Sequence, residues 1–370
     1  MYATHFMGAD ISYKYISGNT YQLKVQYYRN CGDPGGGNAS NAPNTATISI
    51  KSASCNISTS ISVTRQLDQE VSAVCAAQLN NTTCGNGNNS LPGVTRYIYS
   101  GNYTLPQNCS DWVFSFQSGN RNNSISTILN PGQDSIYVEA KLNSIAAPGN
   151  SSPTFSSLPV PYFCPSQAVS YNHGASDLNG DSLVYAIIDP QHNATTPVTF
   201  LTTPIAYSST YPVATIPANT FNFSTTTGQM SFVPAQIQQG VTAIRVDEYR
   251  NGVLIGSVVR DIQLMVINCQ GNVAPVISAP SIPTGANVIG PNSYRVCVGS
   301  TLQFSITASD ANTGTIIGMT STASANLPGA VFTTTGTNPK TGILTWSPSA
   351  NDVGNKTFTI TITDNACPIP

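Results

Sequence analysis

Tyr21-Gln22-Leu23-Lys24-Val25-Gln26-Tyr27 decides the fold class. Tyr21, Leu23, Val25 and Tyr27 fall on one side of an extended chain, and Gln22, Lys24 and Gln26 on the other. That two-residue period is a strand buried on one face. The same alternation recurs in Ala46/Ile48/Ile50, Ile136/Val138/Ala140/Leu142, Leu302/Phe304/Ile306 and Phe358/Ile360/Ile362. Arg250-Asn251-Gly252-Val253 lies between two alternating runs, and Asn-Gly accepts the positive φ angles of a tight hairpin turn. Helical periodicity is confined to a short stretch, Asp68–Ala77. The expected fold is all-β, a tandem of β-sandwich domains.

Two Pro/Ser-rich stretches, Ala147–Pro161 and Gly271–Thr284, read as linkers. They divide the 370 residues into 1–158, 159–270 and 271–370, an ordinary size for three domains. The last two segments are related by an internal repeat. Thr227-Gly228-Gln229-Met230-Ser231-Phe232-Val233-Pro234 aligns with Thr341-Gly342-Ile343-Leu344-Thr345-Trp346-Ser347-Pro348. Ala175-Ser176-Asp177-Leu178-Asn179 aligns with Ala308-Ser309-Asp310-Ala311-Asn312. A cysteine precedes each Ala-Ser-Asp at the same spacing, Cys164 and Cys297, and each terminal strand ends in another, Cys269 and Cys367. One clasp per domain follows, Cys164–Cys269 and Cys297–Cys367.

Charged residues make up 8 % of the chain and the net charge is −2, against roughly a quarter charged in a typical globular protein. No basic field is available to hold nucleic acid or an anionic membrane. No apolar run reaches the ~20 residues of a membrane helix. Met1-Tyr2-Ala3-Thr4-His5 lacks the apolar core of a signal peptide and reads as a mature N-terminus. The end at Asp364–Pro370 reads as a stop in mid-linker, so the chain is expected to be a fragment. None of the nine cysteines sits in a Cys-x-x-Cys pair, which argues for disulfides in an oxidising compartment over structural zinc.

Asp177-x-Asn179-x-Asp181, folded about Gly180, is the first metal candidate, because alternating oxygen side chains let a loop wrap a hard cation such as Ca²⁺. The other reading of the same residues is a turn whose side chains cap local amides and bind nothing. Asp310 and Asn312 repeat two of the three positions, with Asp352 or Asp364 as a further ligand. Catalysis finds little support. His5, His173 and His192 are the only histidines, and His173 reads as a loop residue. No Gly-x-Ser-x-Gly elbow occurs. Asp247 and Glu248 are adjacent on a strand and point to opposite faces, so they do not form a carboxylate pair. Gly35-Gly36-Gly37 is a loop. Tyr97, Tyr99, Tyr103, Trp112 and Trp346 read as packing residues.

Thr4-His5-Phe6-Met7-Gly8-Ala9-Asp10-Ile11-Ser12-Tyr13, with Tyr27-Tyr28-Arg29-Asn30-Cys31, Val74-Cys75-Ala76-Ala77-Gln78, Thr82-Thr83-Cys84 and Cys109-Ser110-Asp111-Trp112, resembles the start of large surface proteins of Bacteroidota, the gliding-motility-associated or PKD-domain proteins. The resemblance implies that the second and third segments are Ig-like, cadherin-like or PKD-like β-sandwich domains, with export across the outer membrane by the type IX route and a part in adhesion, gliding or a surface filament. It implies no enzymatic activity. Partners would be further domains or other copies of the same protein, surface glycans or the substratum. The alternative is a train of carbohydrate-binding modules attached to a secreted enzyme. Asp134-Ser135-Ile136 and Asp181-Ser182-Leu183 resemble that phylum's O-glycosylation motif, on Ser135 and Ser182. Where the family has Cys-Cys-Arg-Asn, this chain has Ser118-Gly119-Asn120-Arg121-Asn122, which leaves Cys109 or Cys55 as the odd cysteine. Cys75–Cys84 and Cys31–Cys55 are the remaining expected pairs.

Overall fold

A computed structural model describes residues 5–33, 37–38, 42–85 and 90–369; Met1 to Thr4 and Gly35-Gly36 lie outside them. Nearly every element is a strand. In chain order these are β1 (Phe6–Ser17), β2 (Thr20–Asn30), the short pair β3 (Gly32–Asp33) and β4 (Gly37–Asn38), β5 (Thr45–Ser52), β6 (Ile57–Glu70), β7 (Val94–Thr104), β8 (Trp112–Asn120) and β9 (Ser135–Leu142). There follow β10 (Thr154–Phe155), β11 (Tyr162–Phe163), β12 (Val169–Asn172), β13 (Ala175–Ser176), β14 (Ser182–Ile188), β15 (Asn222–Phe223), β16 (Gln229–Phe232), β17 (Gln238–Arg250) and β18 (Val253–Val266). The last part carries β19 (Val276–Ile277), β20 (Ala286–Gly290), β21 (Ser293–Val296), β22 (Leu302–Ser309), β23 (Gly318–Ser321), β24 (Val331–Gly336), β25 (Lys340–Trp346) and β26 (Ile360–Thr363). Asp68–Ala77 is not a helix: β6 runs to Glu70, and a 3-10 turn starts only at Ala76.

One sheet runs β1-β2-β7-β6-β5-β8-β9-β18-β17-β14, and β18 also pairs with β1, so the hydrogen-bonded path closes on itself. The alternating faces point where their period requires. Leu23, Val25, Tyr27, Ile48, Ile50, Tyr99, Trp112, Phe114, Val138 and Ala140 are all buried in one core. Tyr27 stacks on Tyr99 and Phe116 with centroids 5.3 and 5.6 Å away, and its hydroxyl lies 2.7 Å from that of Tyr99. Asn251 and Gly252 take φ of 52° and 79°, the hairpin turn joining β17 to β18.

β18 organises the molecule. On one side it pairs with β17 along its whole length; on the other it pairs with β9 at Gly256–Val258 and with β1 at Arg260–Ile262. Every residue from Ile255 to Val266 is buried. A strand covered on both faces should read as a nearly continuous apolar run, and Val258, Val259, Ile262, Leu264, Met265 and Val266 supply it. The charged residues in that run are each matched. Arg260 lies opposite Asp10 on β1 and bonds it at 2.8 Å, both side chains nearly inaccessible. Its neighbour Asp261 points to the other face and takes a bidentate pair from Arg121 at 2.8 and 2.7 Å, both side chains 1 % exposed.

The boundary at 158/159 therefore does not separate two cores. β12-β16-β15 packs on β14-β17-β18 through Tyr185, Met230, Phe232 and Val246, and these residues belong to the same apolar cluster as the closed sheet. The expected linker Ala147–Pro161 holds β10, and Asn150, Ser151 and Ser152 within it are buried. Residues 271–370 have a core of their own around Leu302, Phe304, Leu344 and Trp346. They touch the rest where Asn355 N–H donates to Gly180 O at 3.0 Å and Thr357 Oγ1 to Ala175 O at 2.7 Å.

Four disulfides are present among the described residues: Cys31–Cys84, Cys55–Cys109, Cys75–Cys367 and Cys164–Cys269. Three expected pairs are corrected. Cys297–Cys367 does not form, because the chain after β26 leaves its domain and packs Ile369 beside Val74, with Pro368 O accepting from Cys75 N–H. Cys75 is thereby taken, so Cys75–Cys84 does not form. Cys84 lies instead against Gly93, the residue whose carbonyl holds Cys31 N–H, so it meets Cys31 and excludes Cys31–Cys55. The odd cysteine is Cys297, exposed and free, and not Cys109 or Cys55.

Candidate functional site

The repeated Asp-x-Asn motif was the strongest sequence pointer to chemistry, and its first copy opens onto a buried carboxylate cluster. The loop after β13 turns at Gly180, whose φ is 82°, and Asp177 Oδ1 accepts from Asp181 N–H at 2.8 Å. Asp181 is held at both oxygens by Arg250, at 2.8 and 2.6 Å. Arg250 also donates to Asn150 Oδ1 at 2.7 Å, and the Asn150 amide donates to both oxygens of Glu248 at 2.9 Å. Asp177, Asp181 and Glu248 bring one oxygen each within 4.8 Å of one another. Three carboxylates thus face one guanidinium.

Glu248 reaches this place because the side chain opposite it on β18 is missing. Gly256 is its cross-strand partner. A Cβ at 256 would lie 2.7 Å from Glu248 Oε2, 2.8 Å from the Tyr13 hydroxyl and 2.9 Å from Lys141 O. Tyr13 itself donates to Lys141 O at 3.0 Å. Asp247 points the other way and pairs with Arg245 at the surface.

Burial, then the charge of Asp177, pushes the Glu248 carboxyl up to about 9; burial raises Asp177 as well. Both carboxyls are thus shifted toward the protonated form, and no donor among the described residues reaches the buried Asp177 Oδ2. A divalent cation and a proton are alternative ways of neutralising the same group of oxygens.

Asn179, an expected ligand, is used differently. Its Oδ1 accepts from Ser151 N–H at 3.0 Å. In the second copy Asn312 Oδ1 accepts from Val273 N–H at 2.9 Å, and Asp310 Oδ1 from Asn312 N–H at 2.6 Å. Each Asn docks the segment that enters its domain, a role the sequence analysis missed although both copies keep the residue. Asp310 stands beside Asp364, whose carboxyl is raised by burial while Asn272 donates to it at 3.0 Å. Among the described residues no third carboxylate completes a cluster there; Asp352 instead caps its own turn through Ser349. Asp310, Asn312, Thr315 and Asn338 line an open groove of about 510 Å³.

His173 lies in the loop between β12 and β13, as expected, but it is fully buried, edge-on to Tyr171 at 5.0 Å, and burial holds its ring well below the usual histidine range. His192 Nδ1 accepts from Ser135 N–H at 3.1 Å, and the Ser182 hydroxyl accepts from Asn355 Nδ2 at 2.6 Å. Both serines expected to carry glycans thus sit in contacts between distant segments.

No protein-family model matches the chain, and no curated protein matches it. Among solved structures it is similar to the N-terminal eight Ig domains of Down Syndrome Cell Adhesion Molecule, at 11 % identity and a TM-score of 0.18, covering 99 % of this chain and 42 % of that one. It is similar to titin domains I67–I69 at 11 % identity and a TM-score of 0.18, covering 97 % and 95 % of the two chains. A marsupial T cell receptor follows at 12 % identity and a TM-score of 0.17, covering 96 % and 95 %. The chain thus spans less than half of the first of these. Superpositions at that level do not establish a shared architecture, which rests on the strand pairing above.

Proposed function

We propose that the chain is a structural and adhesive segment of an extracellular surface protein, with further domains or other copies of that protein, surface glycans or the substratum as partners. Four cystines tying an all-β body support this reading above any other observation, because such a set forms and persists in an oxidising compartment. No helix among the described residues is long and apolar enough to cross a membrane. The resemblance to Bacteroidota surface proteins adds gliding motility and type IX export to the proposal. Beads coated with the oxidised chain should attach to cells or to polysaccharide-coated glass and be displaced by free chain. Attachment no greater than that of albumin-coated beads contradicts the reading. Saturable binding to a single glycan, without attachment elsewhere, would favour a carbohydrate-binding module.

The same proposal includes Ca²⁺ at Asp177, Asp181 and Glu248. Asn179, Asp310 and Asn312 are left out, since both asparagine oxygens serve the entering segments and Asp310 has one carboxylate neighbour. The ion would neutralise Asp177 and Glu248 in place of a proton and tie β17 to the loop before β14. Adding Ca²⁺ should raise the melting temperature of the chain, and Asp177→Ala should abolish the rise. A melting temperature indifferent to both Ca²⁺ and EDTA refutes it.

A further inference from the structure

The first and last described residues of this chain meet in one place. Met7 and Ile369 belong to the same apolar cluster, together with Tyr28, Val74, Val94 and Tyr162. Asn30 N–H is held by His5 O at 2.8 Å, and Cys75 N–H by Pro368 O at 2.9 Å. Two cystines lie at this junction. Cys31–Cys84 joins the end of β2 to the turn before β7, and Cys75–Cys367 closes a sequence separation of 292 residues. An arrangement of domains in series would place the two ends at opposite poles. Here they are fastened side by side.

We infer that these two cystines form a covalent bypass, so that tension applied through the two ends of the chain does not pass through most of its fold. The shortest covalent route runs over residues 1–31, crosses to Cys84, returns to Cys75, crosses to Cys367 and leaves through 368–370. That route comprises 45 of the 370 residues. Residues 85–366 hang from it as a closed loop, and the carboxylate cluster, the Asp310 groove and all strands from β7 to β26 lie within that loop. The bypass keeps tension off residues 85–366, while β1 and β2 lie on the loaded route and leave the closed sheet as it is extended. It follows from connectivity and end placement, independent of what the surface binds.

Single-molecule pulling on the oxidised chain, with handles before residue 1 and after residue 370, tests it. At roughly 3.5 Å per extended residue, the intact protein should reach a contour length of ~160 Å and then resist. In the Cys75→Ser/Cys367→Ser variant, the shortest route crosses residues 1–55, 109–164 and 269–370, 213 residues in all, so the contour length should grow about fivefold. Cys164→Ser/Cys269→Ser removes a cystine inside the hanging loop and should leave the intact value unchanged. The intact-chain measurement stands even if a variant folds poorly. An oxidised chain that extends several-fold beyond ~160 Å, or one lengthened by loss of Cys164–Cys269, overturns the inference.

Discussion

Replacing Arg121 by Met removes one partner of an ion pair to which solvent has almost no access. Arg121 donates to both oxygens of Asp261 and, at 3.1 Å, to Gln191 O. With both side chains 1 % exposed, the change leaves the Asp261 carboxylate uncompensated in the centre of β18. Breaking a buried pair in this way costs about 3–5 kcal/mol, against at most about 1 kcal/mol for an exposed pair. The internal control is Arg245→Met, whose Asp247 pair has its arginine 43 % exposed. Equilibrium urea denaturation of both variants gives the two costs. The double replacement Arg121→Met/Asp261→Leu should be less destabilising than Arg121→Met alone, because it removes both buried charges together. If Arg121→Met costs under about 1 kcal/mol, or if the double variant merely sums the two single losses, β18 is not the closed and covered strand described above.

Further outcomes follow from the same contacts. A chain ending at residue 158 lacks β17 and β18, leaving Asp10 and Arg121 without Arg260 and Asp261; it should show no cooperative thermal transition by near-ultraviolet circular dichroism. A chain ending at 272 should show one, and cooperative unfolding of 1–158 would contradict the shared core. Gly256→Ala places a Cβ within 2.9 Å of three atoms, one of them the backbone oxygen of Lys141, and should cost about 1–3 kcal/mol by denaturation. Glu248 binds its proton more tightly folded, at about 9, than at its ordinary value of 4.5. Its contribution is therefore present at low pH and lost as pH rises through that window. In EDTA, Glu248→Gln should flatten the decline in melting temperature between pH 6 and 9; an unchanged slope would show that the proton is held elsewhere.

Much of the fold was legible because strand alternation is local. Tyr21 to Tyr27 and Ile136 to Leu142 announced their buried faces, and Asn251-Gly252 announced its turn. The fusion of the first two segments was not legible, although its trace is in the sequence. Ile255 to Val266 is apolar on both faces of a strand, yet Arg260, Asp261 and Gln263 interrupt it, and their partners Asp10, Arg121 and Gln239 are distant in the chain. Cys164–Cys269 formed as expected, and the other three expected disulfides failed for a related reason. The internal repeat equates β17 with β26, so Cys367 follows the counterpart of β17 while Cys269 follows β18, and the pairing of Cys367 depends on where the chain leads after β26, which is to Val74 through Ile369. At the carboxylate cluster the loop motif gave Asp177 and Asp181. Glu248, Asn150 and Arg250 come from other elements, and only folding brings them there.

The account depends most on the covalent link between the start and the end of the chain. Proteolysis under non-reducing conditions followed by mass spectrometry reads that link directly. The structure predicts a linked pair of peptides containing Cys75 and Cys367, with Cys297 recovered as a free thiol. Recovery of Cys297 bonded to Cys367, with Cys75 bonded to Cys84, would contradict it.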